Sequence, residues 1–152
     1  MQSQILNDQN GKSKNLLRQH HLKITTPRLS VLSIISKKET ATSQPELEKI
    51  LGDTIDRVTL YRVLNVFEEK GILHKIHDLH GTATYAICSE NCPEHMHKEE
   101  HVHFTCSECN SIYCLDDNMQ MPTIAVPKGF HIDSISINAI GICDKCRKKK
   151  SS

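Results

Sequence analysis

The chain lacks any apolar run approaching the roughly 20 residues that a membrane-spanning helix requires. Its first residues, MQSQILNDQN, also lack a basic start followed by an apolar stretch, so no secretory signal peptide is predicted. No internal repeat or low-complexity tract is visible. We therefore expect a cytoplasmic protein with no membrane partner, and 152 residues suffice for one ordinary domain or two small ones.

Cysteine is present in a number that argues against disulfides. The chain has seven cysteines, and an odd number prevents a complete set of intramolecular disulfides. The cytoplasm is also reducing, so cysteines there are more often metal ligands. Because small domains bury a modest fraction of their surface, they often need a bound metal to complete a core.

Acidic side chains are absent between Asp8 and Glu39, although the net charge of the whole chain is only +1. A solvated basic face is the ordinary explanation for such a run. An unbalanced basic stretch also suits the phosphates of nucleic acid. The cationic residues in the interval are Lys12, Lys14, Arg18, Lys23, Arg28, Lys37 and Lys38.

Hydrophobic periodicity in the first half predicts four helices, the first of which contains Leu16 and Leu17. Thr26 would cap the second helix, with Pro27 at its first helical position. The third would begin around Ser43. The fourth would be capped by Asp56 and ended by Gly71. The residues expected to face the core are Leu29, Leu32 and Ile35 in the second helix, Leu47, Ile50 and Leu51 in the third, and Leu60, Val63, Leu64 and Phe67 in the fourth.

The stretch after Gly71, ILHKIHDLHGTATYAI, has shorter alternating runs and predicts a two-stranded hairpin around His80 and Gly81. Helices followed by a hairpin are the plan of a winged helix, whose fourth helix would enter the major groove of double-stranded DNA. A generic helical bundle with a hairpin is the alternative. The predicted DNA-binding domain is 1–87, followed by a second domain at 88–152.

The second part has strand-like runs, HVHFTC, SIYCL and FHIDSISINAIGI, with a short helix candidate in NMQMPTIAV between them. This is an α+β pattern. The run from His131 to Ile142 carries many apolar β-branched residues, which suits a sheet buried on one face. Such a sheet in a small domain usually needs a second copy to pack against, so a homodimer is expected.

Two Cys-x-x-Cys pairs, Cys106 with Cys109 and Cys143 with Cys146, are the strongest local pattern. Each pair places two thiolates on a tight turn, and two turns complete a tetrahedral site. Four thiolates leave no open position, which is typical of a structural metal. Soft thiolates at this spacing favour zinc.

A histidine pair, His101 and His103, stands directly before the first Cys-x-x-Cys and cannot join a site already filled by four cysteines. In a strand, a spacing of two places both imidazoles on one face. Such a pair chelates a metal but needs further ligands, for which Cys88 and His74 are candidates. Each of these histidines could equally be an ordinary surface residue.

The order of LKITTPR, RVTLYRVLNVFEEKGIL, HVHFTCSEC and GICDKC resembles the ferric uptake regulator (Fur) family of bacterial metal-responsive repressors, over about residues 15 to 147. The resemblance implies a winged helix hinged near residue 87 to an α/β dimerisation domain. It also implies a homodimer that binds palindromic operator DNA when its sensory site holds a metal. The cysteines of the two Cys-x-x-Cys pairs match the family's structural zinc positions.

The resemblance also carries over five DNA contacts. Tyr61 and Arg62 match the recognition helix of the family, and Thr59 lies on its leading turn. Lys23 matches a lysine near the minor groove, and Arg28 matches an arginine that contacts the backbone. Arginine and lysine supply affinity for phosphates, and an aromatic ring can contact a thymine methyl group.

The sensory ligands depart from those of iron-type members. ETATSQPE has no histidine before the third helix, Ala86 follows Tyr85 where iron-type members have an acid, Cys114 replaces a carboxylate, and no histidine stands near Ile135. The remaining set resembles the zinc-uptake regulator (Zur) branch, and a Cys and His set suits zinc better than iron. Iron or manganese stays an alternative, as does a peroxide-sensing member. The implied regulatory ligands are His74, Cys88, His101 and His103.

The resemblance suggests a mechanism in which zinc clamps the two domains into a closed form that binds DNA. The segment SENCPEHMHKEE is longer than its counterpart in the family. It is either a solvated loop or a source of further ligands at Cys92, His95 and His97, and Cys114 is a fourth candidate.

Two other classes of protein compete. A zinc deaminase would use His-x-Glu before Pro-Cys-x-x-Cys, and HKE at His97 to Glu99 fits the first part. No proline precedes Cys106, however, and the gap is too short. The other class is a DNA-binding protein with a permanent structural zinc and no sensor. We expect no enzyme and no small-molecule substrate.

Overall fold

The computed structural model describes residues 2–87, 102–115, 123–132, 135 and 137–151, with side chains described from residue 10 onward. Contacts between Cα atoms divide the chain into two compact units, Met1–Cys88 and Ser89–Ser152, here called the N-terminal and C-terminal units. The predicted boundary after residue 87 lies one residue before this division. No helix among the described residues is long and apolar enough to cross a membrane.

The N-terminal unit has the predicted four helices and hairpin, together with a short strand that the sequence did not reveal. The strands form a three-stranded antiparallel sheet in the order β1-β3-β2. A 3₁₀ turn at Gly52–Thr54 separates the third and fourth helices. The elements are α1 (Gln2–Gln19), α2 (Thr26–Ile35), β1 (Thr42–Ser43), α3 (Gln44–Leu51), α4 (Arg57–Glu69), β2 (Leu73–His77) and β3 (Ala83–Ile87).

Two helix caps were predicted, of which Asp56 is confirmed and Thr26 is wrong. The side chain of Asp56 accepts the backbone N–H of Thr59 at 2.9 Å, and that of Ser43 accepts the N–H of Glu46 at 3.3 Å. Each bond satisfies an N–H that the helix itself leaves without a partner. The cap of α2 is Thr25 rather than Thr26, and the helix starts one residue earlier than predicted.

The helices α1 and α4 end in the same type of turn, although the residues that form it differ. Gly71 has φ of 71°, and Ile72 N–H donates to the carbonyl of Phe67 at 2.8 Å. After α1, His21 takes the left-handed conformation at φ of 54°, and Leu22 N–H donates to Leu17 at 2.8 Å. Both are Schellman turns, so glycine marks one helix end and histidine occupies the other.

The core of the N-terminal unit is formed by the apolar faces of the four helices and the sheet. All four residues predicted to face inward from α4 are buried, as are two of three from α2 and from α3. Leu29 is only partly buried, and Ile50 is 51% exposed, so the prediction for Ile50 was wrong. The helix α3 has only eight residues, and its buried side chains are Leu47 and Leu51, which lie one turn apart on the same face. Ile50 lies beside this face.

The C-terminal unit contains a three-stranded sheet in the order β5-β4-β6 followed by a short helix. The strands are β4 (Val102–Cys106), β5 (Ile112–Leu115) and β6 (Ile137–Gly141), and the helix is α5 (Asp144–Lys150). β4 pairs antiparallel with β5 and parallel with β6.

Two predictions for this unit were wrong, and one helix was not predicted. One long strand was predicted from His131 to Ile142, but the observed strand covers only Ile137–Gly141. Residues 131, 132 and 135 lie outside any strand. The helix candidate at 118–126 is not helical over 123–126, and its remainder lies outside the described residues. Proline at residue 127 disfavours a helical conformation for Val126. The helix α5 was not predicted at all.

Candidate metal centre and nucleic-acid interface

The four cysteines of the two Cys-x-x-Cys pairs lie together. Their sulfur atoms are all within 4.8 Å of one another, and the sulfurs of Cys109 and Cys143 are 3.9 Å apart. Four sulfurs bound tetrahedrally to zinc at about 2.3 Å would be separated by roughly 3.8 Å. The cluster therefore has the donor atoms and nearly the spacing that a structural zinc requires.

The sheet brings the two pairs together across more than thirty residues of sequence. Cys106 ends β4 and stands opposite Gly141, the last residue of the parallel strand β6. Ser107 N–H donates to the Gly141 carbonyl at 2.8 Å, and this bond joins the turn that contains Cys106 and Cys109 to β6. Two residues beyond that strand, Cys143 caps α5, and Cys146 lies in its first turn.

The first turn is tight and depends on a left-handed residue. Asn110 has φ of 56°, and its N–H donates to the Cys106 carbonyl at 2.9 Å. Asparagine tolerates this conformation better than most residues. The turn therefore presents Cys106 and Cys109 on one side, as the Cys-x-x-Cys spacing predicts.

Hydrogen bonds within the cluster shift the pKa values of three of its thiols, those of Cys106, Cys143 and Cys146. The backbone N–H of Cys143 donates to Cys106 sulfur at 3.3 Å and is the largest cause lowering the pKa of Cys106 to about 6. The backbone N–H of Cys146 likewise lowers the pKa of Cys143. Hydrogen bonds to Cys143 and Cys109 instead raise the pKa of Cys146 to about 12. A divalent metal would replace the proton held there and bind all four thiolates.

Two hydroxyl groups contact the cluster, and sequence reasoning missed both. Burial, followed by a hydrogen bond to Cys143, raises the pKa of Tyr113 to about 12. Ser111 Oγ lies 3.2 Å from Cys109 sulfur. Both residues lie beside the Cys-x-x-Cys turn, but only the fold shows that they reach sulfur. Outer hydrogen bonds of this kind orient metal ligands.

Replacing Tyr113 by phenylalanine is expected to speed the transfer of the structural zinc to a chelator by about tenfold. The ring would stay, while the bond to Cys143 would be lost. The rate of zinc release is measured with a colorimetric chelator, and Tyr61→Phe serves as a control that removes a hydroxyl from the N-terminal unit. An unchanged rate in Tyr113→Phe would contradict a role for this hydroxyl.

The predicted regulatory ligands are only partly within the described residues. His74 lies half-buried in β2, opposite Ala86 of β3. His103 lies in β4, is only 6% exposed, and stands directly opposite Cys114 of β5. Those outside the described residues are Cys88, His101 and the three candidates Cys92, His95 and His97.

An exposed strip on α4 is the candidate nucleic-acid interface. The buried residues of this helix occupy one face, and Tyr61, 53% exposed, lies with Arg62 on the opposite side. Val58, 59% exposed, and Arg57 extend the strip to the start of the helix. Arg57 and Val58 were not predicted as contacts. Val58 lies three residues before Tyr61 and four before Arg62, a spacing that places it on the same side of a helix.

Among the other three predicted DNA contacts, the side chains of Thr59 and Arg28 form hydrogen bonds within the protein. The hydroxyl of Thr59 donates to the Asp56 carboxylate, and this bond is the largest cause lowering the pKa of Asp56. The Arg28 guanidinium donates to the Lys23 carbonyl at 2.7 Å, which links the two cationic residues before and within α2. The side chain of Lys23 is exposed, and it forms no ion pair with a carboxylate among the described residues.

Comparison with known proteins identifies the family. The model of the ferric uptake regulator family matches residues 19–140. The chain belongs to this family. Among curated Fur proteins, the ferric uptake regulation protein of Neisseria gonorrhoeae is 30% identical over 137 residues, covering 88% of this chain and 92% of that protein. That of Vibrio cholerae is 28% identical over 134 residues, covering 84% of each chain.

Solved structures show the same fold. A zinc uptake regulator complexed with zinc and DNA superposes with a TM-score of 0.71 at 22% identity, covering 96% of this chain and 97% of that one. The Vibrio cholerae ferric uptake regulator gives a TM-score of 0.56 at 23% identity, covering 85% and 98%. These likenesses confirm the predicted α+β class, with a winged helix before an α/β domain that holds a four-cysteine site.

Membership in the Fur family also decides between the classes of protein considered from the sequence. The family consists of metal-responsive transcription regulators, so the expectation that this chain is not an enzyme is confirmed. The zinc deaminase alternative is therefore excluded. Such an enzyme binds its zinc through a histidine and one Cys-x-x-Cys, whereas here both Cys-x-x-Cys pairs form one cluster.

Proposed function

We propose that this Fur-family regulator is a zinc-responsive repressor in the cytoplasm that controls zinc-uptake genes. It binds palindromic operator DNA as a homodimer when a second zinc occupies its sensory site. The observation that carries zinc as the signal is the pairing of His103 with Cys114 across β4 and β5. Side chains directly opposite in an antiparallel pair have Cβ atoms about 5 Å apart, so one ion can reach both.

The donor atoms of the sensory site favour zinc over iron. An imidazole and a thiol on neighbouring strands form a borderline-soft pair, whereas iron of the sensory type is held by nitrogen and oxygen donors. In the N-terminal unit, His74 faces Ala86 rather than a carboxylate. The proposed ligands are His74, Cys88, His101 and His103, and the register adds Cys114 to them.

The proposed mechanism uses ligands from both units. His74 and Cys88 belong to the N-terminal unit, and the two histidines belong to the C-terminal unit. A metal held by both would restrict their relative motion and favour an arrangement that places two recognition helices on one operator. Without the sensory zinc, this arrangement would be a minor population.

The DNA contacts would combine affinity with sequence reading. Arg62, Lys23 and Arg28 would neutralise phosphates. Tyr61 and the exposed Val58 would contact thymine methyl groups in the major groove. Thr59 would act mainly through the cap that it shares with Asp56, which sets the start of α4.

The exposed apolar residues of the C-terminal unit support a homodimer. Phe130 is 72% exposed and Ile140 is 61% exposed in the single chain. Large apolar side chains exposed in such number on one small unit are typical of a surface that another protein covers. A second copy would cover them. The exposed set is Ile124, Val126, Phe130, Ile132, Ile135, Ile140 and Ile142.

The test is DNA binding measured against buffered zinc, iron and manganese, with the metal content of the protein determined in parallel. Sequences are first selected from a pool of random duplexes, because the operator is not given by the protein. We expect binding to appear only with zinc, at two or more zinc ions per chain, and to be lost in Tyr61→Ala. Full binding at one zinc per chain would support a permanent structural zinc without a sensor.

The alternative function is an iron-responsive regulator, which the similarity to ferric uptake regulation proteins favours. The same titration separates the two. Binding that requires iron or manganese, and that zinc does not support, would assign the chain to that branch.

A further inference from the structure

The helix α5 is strongly cationic. Five of its seven residues are lysine or arginine, and its one acidic residue is Asp144. In the metal centre this segment contributes only the two cysteines Cys143 and Cys146, so its charge has no assigned role. The exposed side chains are Lys145, Arg147, Lys148, Lys149 and Lys150.

Described carboxylates pair with three of these cations. Asp144 lies 2.6 Å from the Lys148 ammonium and 3.6 Å from the Arg147 guanidinium. Glu108, from the turn between β4 and β5, lies 2.7 Å from the ammonium of Lys150. The helix itself carries five cations and one carboxylate, a formal charge of +4 over two turns.

The helix is also held in place at both ends. Its cap and first turn are Cys143 and Cys146, two members of the four-cysteine cluster. Its last residue, Lys150, is paired with Glu108, which stands between the other two cysteines. The cations are therefore presented from a fixed position rather than from a loose tail, so binding through them would cost little ordering.

We propose that α5 is a second phosphate-binding surface, which contacts the backbone of duplex DNA from the C-terminal unit without reading sequence. This inference rests on the proposed DNA-binding function. Cationic residues in the last turn also stabilise the helix through its dipole. The dipole explains cations in the last turn of the helix, but it does not explain Lys145, which lies in the first turn.

The composition of α5 favours DNA over other anionic partners. Its sequence, DKCRKKK, has no aliphatic or aromatic residue that could enter a bilayer, whereas interfacial helices need an apolar face. It likewise offers no aromatic residue of the kind that anchors protein interfaces. Phosphate contacts need charge alone, and they supply most of the affinity for non-specific DNA.

The test compares salt dependence in full-length, zinc-loaded dimers. The variant Lys145→Gln/Arg147→Gln/Lys149→Gln removes three charges and leaves the Lys148 and Lys150 ion pairs. The control, Lys49→Gln/Lys70→Gln/Lys128→Gln, removes the same charge from exposed positions outside α5. Binding to a fluorescent duplex of arbitrary sequence is followed by anisotropy between about 50 and 200 mM salt.

We expect the α5 variant to reduce the slope of log affinity against log salt by about two to three, with roughly tenfold weaker binding. The control should leave the slope nearly unchanged. Equal slopes in the two variants would overturn the inference while leaving the proposed function intact. Loss of binding to vesicles of phosphatidylserine, without a change on DNA, would identify a lipid surface instead. A parent protein that binds no duplex would overturn the proposed function as well.

Discussion

Replacing Cys106 by serine is expected to remove the structural zinc and unfold the C-terminal unit. Cys106 is fully buried, and its sulfur accepts the N–H of Cys143 at 3.3 Å. The described part of this unit buries few other apolar side chains, namely Val102, Ile112 and Cys143. Structural zinc contributes on the order of 10 kcal/mol to the folding of small metal domains. The described part of the core is too small to replace that contribution.

The measurement is the zinc content of the purified chain together with hydrogen exchange of β4 and β6. Cys114→Ser is the matched control, because it makes the same chemical change in β5 outside the cluster. We expect that control to keep its structural zinc and the protection of both strands. A Cys106→Ser dimer with full zinc content and protected strands would contradict a structural role for this site.

The parts of the fold that the sequence predicted correctly are determined by neighbouring residues. The cap at Asp56, the buried stripe of α4 and the end at Gly71 all lie within one segment of sixteen residues. A side-chain cap and a helical period act over three or four positions, so a single segment contains the whole pattern. The two Cys-x-x-Cys turns are equally local, which is why their cysteines were recognised.

The parts that were missed depend on contacts between distant segments. β1 is a strand of two residues because Thr42 and Ser43 pair with Tyr85 and Thr84, far along the chain. Ile50 fits the helical period as well as Leu47 does, and only packing decides which of them is buried. The register that places Cys114 opposite His103 likewise requires the sheet. No periodicity within β5 indicates this partner.

Replacing His103 by alanine is expected to abolish the response to zinc while leaving the structural zinc in place. DNA affinity in saturating zinc should fall about 100-fold, toward that of a protein whose binding-competent state is a minor population. His103 is only 6% exposed, so Cys114→Ser and His74→Ala are needed as variants that disturb packing less. All three should lose one zinc per chain.

The control for these variants is His131→Ala, which removes an exposed histidine from the same unit. It should keep both zinc ions and the full response. The decisive comparison is between stoichiometry and DNA binding. If the sensory variants lose zinc but still bind DNA fully, the second metal does not control the two units. If His74→Ala alone keeps both zinc and binding, the sensor is confined to the C-terminal unit around His103 and Cys114, and the clamp between units is wrong.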